Sequence, residues 1–388
     1  MSAAVAIVGA GVGGLTAALS LARRGFDVDI VEQAAVLTEV GAGLQLSPNA
    51  SRILIELGLQ NELEAVWTEP DAITLVDGKY LRLLARVASG RFARERWRAP
   101  YGVLHRASLQ RILLAAVAAE PRCRLHLGHR IDGDPEQAIP AVTGRTPALA
   151  VGADGIWSRL RTAVPDAGTV QFSGNVAWRM TVTRDAAAGL LLPDRVTAFL
   201  GARAHLVAYP LREIDGFNLV AIIEGDETDS VWVGKDSEGR RRDYLEAFSG
   251  WNTGLQTLLK MADAPTYWPL CTVTDGTWQD GRKTVLIGDA AHAMTPFAAQ
   301  GAAMAIEDAY ELAACLVGSS NIGEALGAFE ATRRPRIAQV RRRAAFNRFA
   351  YHARGPFRLG RDIVLSMKSP EALAADFDWL YGYGAPER

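Results

Sequence analysis

The sequence predicts an α/β fold in which a parallel-sheet domain is interrupted by a mainly antiparallel sheet, then resumed, and followed by C-terminal helices. Three observations predict it. Between Ala4 and Glu32 the chain runs apolar segment, glycine turn, helix, apolar segment, the pattern of a βαβ unit. From Trp178 to Ile223 it breaks into strand-length runs separated by turn residues, as an antiparallel sheet does. At Thr284 to Gly288 it returns to a short buried run, and a long helix follows Gly301.

The elements follow in order. Ala4 to Val8 reads as a strand, Gly9 to Gly14 as the turn, Leu15 to Arg24 as a helix and Asp27 to Glu32 as the second strand. Ser51 to Leu57 reads as a helix stopped at Gly58, and Ala72 to Val87 as strand, with Asp77-Gly78 as a hairpin signal. Ser108 is placed to cap a helix running to about Ala119. Leu149 to Gly152 is another apolar strand, ahead of Ala153-Asp154-Gly155. In the middle, strands are expected at Trp178 to Thr183, Val196 to Leu200, His205 to Pro210 and Phe217 to Ile223, and helices at Asp243 to Phe248 and Leu255 to Met261. Ile322 to Ala353 is helical, with no internal repeat or low-complexity linker anywhere.

At 388 residues the chain is too long for one simple core and is expected to form two interleaved domains. A net charge of -1 argues against a nucleic-acid binder, and 49% hydrophobic and 22% charged residues are ordinary globular values. Cys123, Cys271 and Cys315 are odd in number and far apart, without metal or disulfide spacing, so a reducing cytoplasm is the expected home. The apolar start from Met1 to Ala22 contains four glycines and no preceding basic region, a poor signal peptide. No stretch approaches the ~18 uninterrupted apolar residues of a spanning helix, and no His/Cys cluster suggests a metal.

Gly9-Ala10-Gly11-Val12-Gly13-Gly14 is a GxGxxG turn between strand and helix. Gly9 permits the tight turn, Gly11 lets backbone approach a pyrophosphate, Gly14 allows close helix–strand packing, and the helix N-terminus favours the phosphates. Glu32, about twenty residues on, ends the second strand where an acid accepts from a ribose diol. The turn alone does not separate FAD from NAD. Leu286-Ile287-Gly288-Asp289-Ala290-Ala291-His292 decides for a flavin: Gly288 lets a cofactor pass close to backbone, and Asp289 is placed for ribityl hydroxyls. Pro296 to Gly301 leads into a helix whose N-terminus, at Gly301 and Ala302, suits the negative charge of a reduced flavin ring. A third motif, Val151 to Arg161, contains Asp154-Gly155, weak alone.

Together these resemble the flavoprotein aromatic hydroxylases, the family of 4-hydroxybenzoate, salicylate and 3-hydroxybenzoate hydroxylases, from Val5 to about Arg343. The resemblance implies a Rossmann-type FAD-binding domain interleaved with a β-sheet substrate domain. The first is expected at 1–70, 101–165 and 275–330, the second at 71–100 and 166–274, and a C-terminal helical region at 331–388. It implies that Glu32 binds the adenosine ribose, that Asp154 and Gly155 serve FAD and NAD(P)H, and that Asp289 binds the ribityl chain. Arg106 and Gln110, in His105 to Gln110, match a stretch that contacts FAD; an ordinary helix start is the plain alternative. Gly41 to Asn49 resembles the salicylate and 6-hydroxynicotinate branch, as does Trp379 to Tyr383 the latter. Because no second GxGxxG follows a strand, NADH or NADPH is expected to visit without a domain of its own.

Such enzymes hydroxylate a small phenol, benzoate or N-heteroaromatic acid with O2 through a flavin hydroperoxide, while the protein positions the ring and excludes water. His205 and Tyr209 lie four apart on one strand and face the same way, and the segment resembles one that supplies a His and a Tyr to the pocket. A histidine suits a proton relay; the plainer alternative is a sheet edge. Gln45 stands where the 6-hydroxynicotinate enzyme carries a His, and Ala208 where the 3-hydroxybenzoate enzyme carries one, so neither substrate transfers. Pro296 and Gln300 belong to the loop expected to face flavin and substrate, or merely shape the helix start. Arg179 either holds a substrate carboxylate or braces the two domains. His292 reads as packing. The ten arginines from Arg333 to Arg361 are either a phospholipid patch or a solvated helix that packs on the FAD domain, which acids interspersed elsewhere and near-zero net charge favour. His129 to Pro147 is short for the family. A flavin epoxidase, a halogenase (whose Trp-x-Trp-x-Ile-Pro stretch is missing) and a flavin-binding protein without turnover are the alternatives; a monomer or homodimer is expected.

Overall fold

The computed structural model describes residues 4–37, 43–225 and 238–384. Gly41 and Ala42 of the stretch ending at Asn49 lie outside the described residues. In chain order the described strands are β1 (Ala4–Val8), β2 (Asp27–Glu32), β3 (Gly43–Leu46), β4 (Ala72–Asp77), β5 (Leu83–Ala88), β6 (Gly102–His105), β7 (Cys123–Leu127), β8 (Leu149–Gly152), β9 (Val170–Thr183), β10 (Arg195–Gly201), β11 (Ala204–Leu211), β12 (Gly216–Glu224), β13 (Asp263–Val273) and β14 (Thr284–Leu286).

One sheet is parallel, in the order β14-β8-β1-β2-β7. Four of its strands are short and buried, covered by helices Val12–Ala22, Arg106–Ala119 and Gly301–Gly318, while the edge strand β7 stays largely exposed. β14, some 130 residues after β8 in sequence, completes an edge, and β1 lies two strands away from it. The second sheet, β13-β9-β12-β11-β10-β4-β5, is antiparallel except where β4 runs alongside β10. Its alternation sorts side chains by face: Ala204, Leu206 and Ala208 join a core with Tyr244, Phe248 and Leu255, while His205 and Tyr209 point to the opposite face, toward the parallel-sheet half of the molecule. β3 and β6 form a small antiparallel pair beside that face.

Several sequence expectations change here. The helix expected from Ser51 starts at Pro48, the proline supplying a preset φ for the first turn. Ser108 does not cap its helix. The helix starts at Arg106, His105 Nδ1 accepts from the Ala107 N–H at 3.2 Å, and Ser108 Oγ, inside the helix, accepts from Arg111. The short segment between β7 and β8 holds a helix, Pro135–Thr143, capped by Asp134. The long helix Ile322–Tyr351 is not simply a solvated basic surface, because Arg333 and Arg336 are buried in ion pairs with Glu307 and Asp308. Among the described residues, no helix is long and apolar enough to cross a membrane.

Candidate flavin and substrate site

The glycine turn is held by backbone contacts that leave no room for side chains. Gly9 sits at φ +106°, and an added Cβ there would lie 2.5 Å from the Ala153 carbonyl; at Gly14 it would lie 2.0 Å from the Gly9 carbonyl. Gly11 is different: nothing lies within 4 Å of where its Cβ would be. The helix it opens has no side-chain cap and no acid in its first turn, so its free N–H groups and dipole face open space, the requirement for a phosphate cradle. Glu32 closes the turn, accepting from the Ala10 N–H at 2.8 Å and the Ala34 N–H at 2.9 Å, one on each oxygen. Each oxygen keeps a lone pair for a ribose hydroxyl. Gln110 is buried and donates to the Ala10 carbonyl at 3.2 Å, so it braces the same turn, while Arg106 is exposed at the helix start.

The second corner follows β14. Gly288 adopts φ +58°, and its missing Cβ would meet the Ala305 Cβ at 2.8 Å. The missing Cβ of Gly13 would meet the same Ala305 Cβ at 3.1 Å. One alanine of the helix Gly301–Gly318 therefore packs against both motifs, which are separated by some 275 residues. Asp289 is exposed beside this junction, and the helix begins at Gly301 and Ala302 without a side-chain cap or a first-turn acid. The third motif ties in through Arg161, which donates to the Ala290 carbonyl at 2.9 Å and the Ile156 carbonyl at 2.8 Å. Asp154 accepts from the backbone of Arg159 at 2.7 Å through one oxygen, while its other oxygen is enclosed without a partner. Burial raises its carboxyl above the ordinary range, although the bonds from Ser158 and Leu160 oppose the rise. Gly155 follows at φ +76°. Open space at Gly11, the uncapped helix ends and the exposed Asp289 fit an extended dinucleotide carrying a ring system.

A buried polar network underlies the second corner. Asp308 accepts from the Gly288 N–H at 2.8 Å, His292 Nε2 at 2.6 Å and Arg333 Nε at 2.7 Å. Arg333 also pairs with Glu307 at 2.6 Å, and Glu307 with Arg336 at 2.7 Å. Burial alone would raise Asp308, but His292 and Arg333 beside it hold its carboxyl down at about 2. Asn49 donates to Glu307 at 2.7 Å and to Gln300 at 3.2 Å, and Gln300 donates to Ser47 at 2.9 Å. Gln300 is thus buried with its amide engaged, and Pro296 is the more exposed member of its loop. His292 belongs to this packed network.

Facing the loop is the second sheet. Gly43 lets β3 lie on Tyr209: an added Cβ would fall 2.4 Å from the Tyr209 ring, and the Gly43 N–H donates to Asn218 at 2.8 Å. Gln45, next along β3 on the same side, accepts from the Tyr101 hydroxyl at 2.7 Å. Tyr101 and Tyr381 pack edge to face at 6.1 Å. His205 packs on Phe297 at 5.1 Å and on Tyr351 at 5.3 Å, and its Nδ1 lies 2.9 Å from His352 Nε2. Burial raises the phenols of Tyr101, Tyr209, Tyr351 and Tyr381 and lowers both imidazoles, that of His352 to about 4. Arg179 lies over the Trp268 ring at 5.2 Å and Arg343 over Phe377 at 4.2 Å.

The sequence reading therefore brought Gly9, Gly11, Gly14, Glu32, Gln110, Gly288, Asp289 and Gly301 to one region, and His205, Tyr209 and Gln45 to an adjoining wall. It missed Tyr101, Tyr351, Tyr381, His352 and Arg343, and the ion network. One available signal was the three acids Glu307, Asp308 and Glu311 inside the otherwise largely apolar run Gly301 to Ala314, because buried acids require partners.

The FAD binding domain family matches residues 2–344. The chain belongs to that family, and within it to the flavoprotein aromatic hydroxylases. It is 37% identical to a 3-amino-4-hydroxybenzoate 2-monooxygenase of Streptomyces platensis over 98% of this chain and 96% of the relative. It is 32% identical to a 3-hydroxybenzoate 6-hydroxylase of Polaromonas naphthalenivorans, again over 98% of this chain and 96% of that one. Its fold matches Klebsiella pneumoniae HpxO, solved with FAD and uric acid, at a TM-score of 0.82, 22% identity and 98% and 96% coverage.

Proposed function

We propose that this flavoprotein is an NAD(P)H-dependent monooxygenase that hydroxylates a small phenolic aromatic acid. What supports this reading is that Gly13 and Gly288 both pack against one residue, Ala305, so the glycine turn and the Gly-Asp corner meet at one helix, while His205 and Tyr351 pack together on the facing sheet. The kinship to benzoate monooxygenases supports an aromatic acid as substrate.

In this reading Gly9, Gly11 and Gly14 would hold the pyrophosphate of FAD. Glu32 takes the adenosine ribose, Arg106 and Gln110 border the dinucleotide, and Asp289 takes the ribityl hydroxyls. Gly301 and Ala302 would offer N–H groups to the ring, and Asp154 with Gly155 would serve FAD and the nicotinamide from the third motif. FAD, reduced by NADH or NADPH, supplies the oxygen activation. The chain orients and desolvates the substrate between the loop at Pro296 and the wall of Gln45, Tyr101 and Tyr209. His205, held neutral, accepts the phenolic proton, which raises electron density at the ring carbon to be hydroxylated. Gln300 sets the loop through Ser47 rather than acting on the ring itself. Arg179 and Arg343 are the cations that border this wall and suit a carboxylate. The division of the chain into a discontinuous FAD domain, a substrate sheet and a C-terminal helical region belongs to the same proposal.

The test is to purify the protein with FAD and follow NADH and NADPH oxidation with 3-amino-4-hydroxybenzoate, 3-hydroxybenzoate and related acids under labelled O2. One labelled oxygen atom in a ring product is the expected result. A protein that rejects FAD, or oxidises nicotinamide without forming a ring product from any aromatic acid, overturns the proposal.

A further inference from the structure

We propose that His352 is the relay partner of His205, so that the two imidazoles pass the substrate's proton through the buried wall while both remain neutral. This rests on the monooxygenase reading above and deepens it.

The geometry is specific. His205 Nδ1 and His352 Nε2 are 2.9 Å apart, so one proton sits between them. His205 is 1% exposed and His352 9%. His205 Nε2 makes no hydrogen bond to a described residue, and His352 Nδ1 is enclosed without a partner. The rings are fixed by packing: His205 against Phe297 and Tyr351, and His352 against Phe297 at 5.4 Å. His205 reaches this place from β11, on the face that carries Tyr209; His352 arrives 147 residues later, at the C-terminal cap of the helix Ile322–Tyr351.

A lone buried histidine is a poor base here, because taking a proton makes it an uncompensated cation. The groups in reach give no relief: Tyr351 is a buried neutral phenol, and the Arg348 cation opposes a charge on His352. A pair avoids the problem. With His205 protonated at Nδ1 and His352 at Nδ1, His205 Nε2 takes the phenolic proton. The shared proton moves from His205 Nδ1 to His352 Nε2, and His352 releases its Nδ1 proton. One proton enters and one leaves, the substrate becomes a phenolate, and each imidazole ends neutral in its other tautomer. His352 caps the end of its helix, two residues before the exposed pair Arg354 and Gly355, so the outgoing proton needs only a local opening of that turn to meet water. His352 touches no substrate in this scheme; it is a positioning and relay residue.

The experiment uses flavin-loaded protein and whichever of 3-amino-4-hydroxybenzoate or 3-hydroxybenzoate the wild type hydroxylates. His352→Gln keeps a hydrogen-bonding partner for His205 but cannot relay; His352→Ala leaves a space for added imidazole. Phenolate formation is followed by stopped-flow ultraviolet absorbance on mixing with substrate, without NAD(P)H, and kcat and KM are measured separately. Expected are equal flavin content, KM within about threefold, and at least tenfold slower phenolate formation and kcat in both variants, on the scale of general acid–base effects. Imidazole should restore His352→Ala and not His352→Gln. Wild-type phenolate kinetics in His352→Gln would overturn the relay. So would loss of flavin content or a raised KM accounting for the whole defect in both variants, or failure of imidazole to restore His352→Ala. If the wild type hydroxylates no aromatic acid, the monooxygenase reading itself fails, and the relay with it.

Discussion

Arg333→Met tests how strongly the ion network supports the flavin corner. Arg333 is fully buried and is shared by two carboxylates, Glu307 at 2.6 Å and Asp308 at 2.7 Å, both themselves fully buried. Methionine fills much of the same volume, so the principal loss is charge. Removing one partner of a buried pair costs about 3–5 kcal/mol because the other charge is stranded. Both acids keep some support here: Glu307 retains Arg336 and Asn49, and Asp308 retains His292 and the Gly288 N–H. The expected loss is therefore about 3 kcal/mol, at the lower end of that range. It should be read by urea unfolding at neutral pH, with and without saturating FAD. Because Asp308 holds the Gly288 N–H, FAD affinity should also fall. Adding Asp308→Asn removes one stranded charge and should recover part of the stability, a coupling that a double-mutant cycle measures. Stability within 1 kcal/mol of wild type in Arg333→Met, with unchanged FAD affinity, would refute this account of the network.

Three further outcomes follow from the geometry. Gly11→Ala should fold normally, since nothing lies within 4 Å of the new Cβ, yet lose FAD affinity by tenfold or more; Gly14→Ala, 2.0 Å from the Gly9 carbonyl, should fail to fold or purify. Normal FAD titration of Gly11→Ala would displace the pyrophosphate from this turn. Asp289→Ala, at an exposed site, should change stability by less than about 0.5 kcal/mol while flavin occupancy falls, as the absorbance ratio of flavin to protein will report. The third concerns acid. Burial, with Arg348 adding to it, holds His352 at about 4 against an ordinary 6.5, so below pH 6.5 the unfolded chain binds a proton that the folded one refuses. The stability is full above 6.5 and is lost as the pH falls to about 4, by about 3 kcal/mol for this group. His205, also lowered by burial and by His352, adds to the loss. Urea midpoints measured from pH 7 to 4 should fall more steeply in the wild type than in His352→Gln; parallel curves would contradict the assignment.

The sequence by itself determined the parts whose requirements are local. A strand, a GxGxxG turn and a helix leave Gly9, Gly11 and Gly14 few alternatives, because the turn demands a φ or a closeness that only glycine tolerates. Glu32 and the Gly288-Asp289 corner are legible for the same reason, and period-two alternation put His205 and Tyr209 on one face. Sequence alone read the arginine-rich helix as solvated and packed on the FAD domain, but it could not see that Arg333 lies beneath Asp308 or that Gln300 bonds Ser47 across 253 positions. Tyr101, Tyr351, Tyr381 and His352 carry no local signature; they matter because the helix Ile322–Tyr351 and the C-terminal segment fold back over the second sheet. Only the tertiary structure decided which of these polar side chains share a buried space, because hydrogen bonds and ion pairs depend on distance in space, and the chain separates those partners by anything from 16 residues (His292 and Asp308) to 253 (Ser47 and Gln300).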